Sequence, residues 1–235
     1  MINREKPFGA LLASLALLIA FTPSVSDTFT ESAGVVEAHT RTGAIAARPA
    51  PPAEARYKVS AGQSRFIVRA FAGGLLSGVA GHDHTISIRD FTGEVRFTYV
   101  TVEPASLQLT IKSDSLAVVD KVSDSDRKKI EDTMRGEVLE SDKHPEIVFR
   151  STSINASRLD EGKYQARISG DLTLRGATRN VAFDASVTFL ESSLRAQGQF
   201  SIKQSDFGIK PVSVAGGTIK VKNELKFSFD IVANR

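Results

Sequence analysis

Residues 219–231 read IKVKNELKFSFDI, and their period is two. Ile219, Val221, Leu225, Phe227, Phe229 and Ile231 fall on one side of an extended chain. Lys220, Lys222, Glu224, Lys226 and Asp230 fall on the other. Successive side chains of a strand point to opposite faces, so the segment predicts a strand with one buried and one wet face. The same alternation recurs upstream. Phe66 and Val68 alternate with Arg65 and Arg69, Ile86 and Ile88 with Ser87 and Arg89, Val95 and Phe97 with Arg96 and Thr98. Leu107, Leu109 and Ile111 alternate with Gln108 and Thr110, and Ile147 and Phe149 with Val148 and Arg150. Tyr164, Ala166 and Ile168, then Val181 to Phe189, then Ala196, Gly198, Phe200 and Ile202 continue the pattern. Turn pairs such as Glu161-Gly162, Arg175-Gly176 and Gly216-Gly217 separate the runs. Roughly eight such strands without crossover helices predict an all-β antiparallel domain, a barrel or a sandwich.

One helix is expected, over 124–140. Ser123 or Asp124 caps it, and Ile130, Met134 and Val138, with Leu139 beside them, make a narrow apolar stripe. Arg127, Lys128, Lys129, Glu131 and Asp132 make the remaining faces polar, and Gly136 weakens the last turn. Such a helix lies on the surface with one edge buried.

Upstream of Tyr57 the composition changes. Residues 1–26 read as a signal peptide: Arg4 and Lys6 precede the short apolar run LLASLALLIAF (11–21), and Ser24-Val25-Ser26 offers small residues for cleavage. The run is shorter than the ~20 residues a spanning helix needs, so no stable membrane span is expected after cleavage. Residues 27–56 carry several prolines and no periodicity and read as a disordered Pro/Ala-rich linker, with His39 inside it.

Composition excludes several classes of chemistry. No cysteine is present, which removes disulfides, thiol catalysis and thiolate-bound zinc. The chain has 14 Phe, 3 Tyr and no Trp, a bias toward buried rings. Net charge is +3, or +2 once Arg4, Glu5 and Lys6 leave with the signal; the cations are interspersed with acids, without a basic stripe, so no nucleic-acid partner is expected.

The segment with most chemical character is His82-Asp83-His84. Two histidines two apart on a strand share a face, and His144 supplies a third ligand for a metal-dependent enzyme, the alternative reading. Against it, no HExxH helix motif and no GxSxG elbow is present. Ala72–Gly81 is glycine-rich but lacks the following Lys of a phosphate loop; Leu75, Leu76 and Val79 suit it to cover a barrel mouth or to bury in the core. Glu146 reads as a surface carboxylate, and Phe207-Gly208-Ile209 as a turn into an apolar step.

Four segments together resemble the YceI-like family: YKVSAGQSRFIVRA (57–70), HPEIVFRSTSI (144–154), GDLTLRGATRNVAF (170–183) and SDFGI (205–209). Their order and spacing match over 57–235. The GHDH segment (81–84), within a longer, glycine-rich first connection, resembles one branch of the family. The resemblance implies an eight-stranded, lipocalin-like antiparallel β-barrel with the helix near its opening. It implies a periplasmic or secreted binding protein, not an enzyme and without a cofactor, and it allows a homodimer. The implied partner is a polyisoprenoid or another long apolar molecule held inside for transport, storage or sequestration. Inward parity then marks Phe66, Val68, Ile86, Ile88, Val95, Phe97, Leu107, Leu109, Phe149, Phe183, Phe200, Phe227 and Phe229 as cavity candidates, each equally able to fill a solid core. A filled barrel would leave only a partner-binding module.

Overall fold

The structure, a computed structural model, describes residues 54–74, 82–98 and 102–235. The signal segment, nearly all of the linker and the loop residues Leu75–Gly81 lie outside the described residues. The linker boundary shifts: strand β1 (Glu54–Val59) already includes the last three residues expected in the linker, and Ala55 is buried inside it.

The strands that follow are β2 (Arg65–Gly73), β3 (His84–Ile88), β4 (Phe91–Thr98), β5 (Ala105–Lys112) and β6 (Leu116–Val118). After helix α1 (Asp124–Thr133) come β7 (Glu146–Asp160), β8 (Lys163–Leu174), β9 (Ala177–Leu190), β10 (Ser193–Lys203), β11 (Ser213–Val214) and β12 (Ile219–Asn234). The hydrogen-bonded order β1-β4-β5-β7-β8-β9-β10-β12 closes on itself, because β12 also pairs with β1 (Lys58↔Asn234, Val59↔Ala233). This is an eight-stranded closed antiparallel barrel, so no sheet edge is left around the ring.

More apolar runs than strands were legible because the first strands are broken midway. β1 and β2 lie end to end along β12, joined by the 3-10 turn Ala61–Gln63. Ser64 Oγ bridges that break: it accepts from the Val232 N–H at 2.9 Å and donates to the Ser60 carbonyl at 2.6 Å. β3 runs into β4 through Arg89-Asp90, and β5 into β6 through Ser113–Ser115. Buried Ser113 donates to the His144 carbonyl at 2.8 Å, which ties this last break to the start of β7.

β6 ends the branch β2-β3-β6, and α1 covers its free edge with side chains. Glu131 Oε1 accepts from the Val118 N–H at 3.0 Å. Arg127 donates to the carbonyls of Val118 and Asp120, and Arg135 Nε to that of Asp114 at 3.1 Å. Polar residues expected to face solvent thus replace a missing strand partner, and the backbone groups they reach stay satisfied.

The helix starts as expected, with Ser123 Oγ accepting from the Asp126 N–H at 3.1 Å. Its end differs: the α geometry stops at Thr133, and Met134–Val138 form a π turn, the Leu139 N–H donating to the Met134 carbonyl at 2.9 Å. Gly136 sits inside this wider turn, and Met134 and Leu139 both become buried.

Candidate functional site

A cavity of about 580 Å³ occupies the barrel, within the range of ligand pockets. The interior is therefore not solid core. All 13 inward candidates, from Phe66 and Val68 on β2 to Phe227 and Phe229 on β12, stand on its wall. Rings from neighbouring strands form a belt along one side. Phe200 stacks on Phe183 at 5.0 Å and on Phe227 at 4.8 Å between centroids. Phe229 meets Phe183 edge-on at 5.6 Å, and Phe66 reaches Phe227 at 6.2 Å. Offset and edge contacts of this kind hold each ring in place beyond simple burial. Gly198, on inward parity, makes the belt possible: a Cβ there would lie 2.5 Å from the Phe229 ring and 2.5 Å from the Asp184 carbonyl.

Several wall residues escape simple parity. Ile154 and Ala156 line the cavity although Phe149 on the same strand has opposite parity. The cause is a bulge: Ser151 pairs with Gly170 and Ser153 with Ser169, so one extra residue reverses the face. On β12 five residues (Val221 to Leu225) span what three span on β2 (Ala72 to Ala70), and the insertion of two preserves the face. The helix stripe is part of the wall too, through Ile130, Met134, Val138 and Leu139.

The two ends of the cavity differ. Phe97 on β4 contacts Phe189 on β9 at 5.0 Å, and these strands stand on opposite sides of the ring, so the contact crosses the lumen. Tyr57 stacks on Phe97 and Tyr164 abuts Phe189, which extends an aromatic plug across this end. The polar wall residues other than Tyr164 gather at the far end: His82, His84, Lys129, Thr133, Gln204 and Lys220.

The histidines are not assembled into a metal centre. Among the described residues no group of three or more His, Cys, Asp or Glu is placed to hold an ion. His82 and His84 share the cavity rim, but His144 packs instead against the β8–β9 turn, where a Cβ on Gly176 would lie 2.8 Å from its ring. His84 Nδ1 lies 3.1 Å from Asp120 Oδ2, and Asp120 also accepts from the Thr85 N–H at 3.0 Å. Asp83 accepts from the Ala72 N–H at 2.9 Å, closing the base of the connection it belongs to.

Three of the sequence segments set out above converge at this end as structural parts. Arg175 and Gly176 both have positive φ (50° and 73°), the geometry of a two-residue hairpin turn. Arg175 pairs with Glu140 behind the helix, and its Nη1 donates to the Gly208 carbonyl at 2.9 Å. Phe207 and Ile209, 2% and 3% exposed, anchor the SDFGI turn. Arg175, followed by Lys143, holds the Glu140 carboxyl below its ordinary 4.5. A carboxyl lowered on folding stabilises the fold above its unfolded value, and that stabilisation is lost as pH falls through the folded value. Glu140→Gln should therefore lower the thermal midpoint at pH 7, and the gap to wild type should close below pH 4.5. A pH-independent gap in paired melts from pH 7 to 3 would show that the Arg175–Glu140 pair does not act as an ion pair.

The described residues contain no helix long and apolar enough to cross a membrane. Arg69, Lys222 and Lys226 converge within 5.3–6.0 Å of the Phe71 ring on the outer face, because pairing of β2 with β12 adds up cations far apart in sequence.

Comparison with known proteins agrees with this architecture. No curated protein matches the chain. Among solved structures, BcnA of Burkholderia cenocepacia superposes with a TM-score of 0.56 at 19% identity, covering 74% of this chain and 98% of that one. A polyisoprenoid binding domain from Saccharophagus degradans, implicated in plant cell wall breakdown, gives 0.55 at 13% identity, covering 76% and 97%. These likenesses are of fold. The description "YceI-like domain" matches residues 57–233, the whole barrel from β1 into β12. A closed barrel around an apolar cavity, with the HPE, RGAT and SDFGI segments locking one end, is thus the form this sequence takes as a member of the YceI-like family.

Proposed function

We propose that this protein binds a long apolar molecule, a polyisoprenoid or similar lipid, inside the barrel, and that it works outside the cytoplasm as a carrier or store. One observation carries the reading: the barrel encloses a cavity of about 580 Å³ walled by phenylalanine and aliphatic side chains. Apolar surface taken from water contributes ~25 cal/mol per Å², so a slender chain binds there with few polar contacts. The plug of Phe97 and Phe189 sets a blind end, and a tail entering from the far end would lie along the ring belt. The polyisoprenoid-binding domain of Saccharophagus degradans shares the fold, which supports the ligand class. The wall contains no Asp or Glu among the described residues, so it offers no carboxylate for acid–base chemistry. Export rests on the signal-like residues 1–26.

Titration with a fluorescent hydrophobic probe, followed by displacement with a prenyl alcohol of several isoprene units, tests the binding. Saturable uptake at one site per chain and full displacement are expected. No uptake by folded protein would refute the reading. N-terminal sequencing of protein from its host should begin just after Ser26; a start at Met1 would refute export by cleavage.

A further inference from the structure

We infer that the outer face of β2 and β12 beside the cavity rim is a docking surface for an anionic membrane, with Phe71 as its apolar centre and Arg69, Lys222 and Lys226 as its charges. This goes beyond the apolar-ligand reading, because the patch lies on the outside of the barrel and none of these four residues lines the cavity.

The pleat puts Arg65, Ile67, Arg69 and Phe71 on the outside of β2, opposite to buried Phe66, Val68 and Ala70. Register then sets Lys226 of β12 directly across from Arg69, and the β12 bulge carries Lys222 to the same place. The charged groups of Arg69, Lys226 and Lys222 stand 5.3, 5.6 and 6.0 Å from the Phe71 ring centre. All three cationic residues are exposed, and Phe71 is half-buried.

Like charges directly across a ladder are unfavourable, and elsewhere on this barrel they are balanced. Arg56 faces Arg96, but Glu54 and Glu94 pair with them. Arg167 pairs with Asp184 and Arg195 with Asp230. Arg65, further along the same face of β2, lies across from Asp230. Among the described residues no carboxylate makes an ion pair with Arg69, Lys222 or Lys226. The acids nearby are turned to other groups: Glu224 stands across from Lys203 of β10, and Asp83 accepts from the Ala72 N–H at 2.9 Å. A field of one sign that the fold leaves uncompensated attracts a partner of the opposite sign.

Composition and place identify that partner as a bilayer. A single ring offers no row of platforms for stacked bases, as a nucleic-acid strand would need. A ring among cations is instead the combination that interfacial segments use. The apolar side chain enters the head-group boundary while Lys and Arg reach lipid phosphates from flexible stems. Gly73, two residues beyond Phe71, pairs with Lys220, and Lys220 stands on the cavity wall. A barrel seated on this patch therefore holds its rim against the membrane, where an apolar cargo passes without crossing water. The opposite end has the wrong sign: Leu159 and Leu190 are 68% and 56% exposed at hairpin tips beside the aromatic plug, but Asp160, Glu161 and Glu191 flank them.

The chain has no Trp, so Phe71→Trp puts one reporter in the patch and Leu159→Trp one at the opposite end. Each full-length variant is mixed with vesicles of phosphatidylcholine, alone or with phosphatidylglycerol. Emission of Phe71→Trp should shift to the blue only with phosphatidylglycerol present, and return as salt is raised. Leu159→Trp should not shift. Adding Arg69→Gln/Lys222→Gln/Lys226→Gln to Phe71→Trp should weaken vesicle binding about a hundredfold, the combined weight of three cations near an anionic surface. Uptake of a hydrophobic dye by that variant should match wild type, which establishes a folded barrel. No shift with phosphatidylglycerol, or the same shift on phosphatidylcholine alone, would overturn the docking surface. So would undiminished vesicle binding after the three Gln substitutions. Tighter binding of Phe71→Trp to a DNA oligonucleotide than to the vesicles would overturn it in favour of a soluble polyanion. Vesicle binding as expected by protein that takes up no dye would refute the apolar-ligand reading and still support the docking surface.

Discussion

Phe227→Asp should abolish apolar-probe binding, weakening it by at least about a hundredfold, or about 2.8 kcal/mol. Phe227 stands mid-belt, stacked on Phe200 at 4.8 Å with an interplanar angle of 11° and edge-on to Phe66 at 6.2 Å. The substitution removes both ring contacts, each worth ~0.5–1.5 kcal/mol, and puts a carboxylate where a tail would lie. A charge on an apolar wall draws water, and an incoming chain must then strip that water away. The thermal midpoint should fall as well. Phe227→Leu, which keeps the wall apolar, should retain most of the probe affinity, so loss in the Asp variant alone isolates the effect of charge. Wild-type affinity in folded Phe227→Asp would mean that the tail does not lie along this belt.

The second large effect separates architecture from binding. Phe207 is 2% exposed and packs in the core cluster with Ile209, Met134 and Leu139, yet it is not on the cavity wall. Phe207→Ala should cost ~3–5 kcal/mol of stability through lost burial and the cavity left behind. Probe affinity per folded molecule should stay near wild type. Denaturant unfolding followed by titration below the unfolding midpoint checks both halves. A variant of wild-type stability would show that the SDFGI segment does not anchor the end opposite the aromatic plug, and a variant that is stable but cannot bind would place Phe207 in the site.

These two residues also show what was legible in the sequence. Inward parity is a local property of extended chain, so Phe227, Phe200 and Phe66 could be placed on one wall without coordinates. Parity fails where the backbone inserts a residue. The single-residue bulge at Ser151–Ser153 moved Ile154 and Ala156 onto the wall, and a reader counting by twos from Phe149 misses both. Breaks at Ala61–Gln63, Arg89-Asp90 and Ser113–Ser115 divided three strands into six pieces, which made the apolar runs outnumber the barrel strands. The resemblance of the HPE, RGAT and SDFGI segments to one family marked them, but their work is tertiary: Arg175, Glu140 and Gly208 meet only once the helix has packed.

Histidine spacing misled for the same reason. His82 and His84 are close in sequence and remain close at the rim, whereas His144 is held by the chain after the helix against Gly176. The group of cations around Phe71 was invisible in one dimension because Arg69 and Lys226 become neighbours only through the β2–β12 register. Period and turn chemistry are written locally; register, bulges and charge fields across strands are not.

Native mass spectrometry of protein purified from its own host, with organic extraction of the same sample, asks whether the barrel interior holds a long apolar molecule in life. An added mass at one copy per chain is expected, released into the organic phase as a long-chain lipid. Protein that is repeatedly of bare polypeptide mass, yields nothing to solvent and takes up no hydrophobic dye would contradict it.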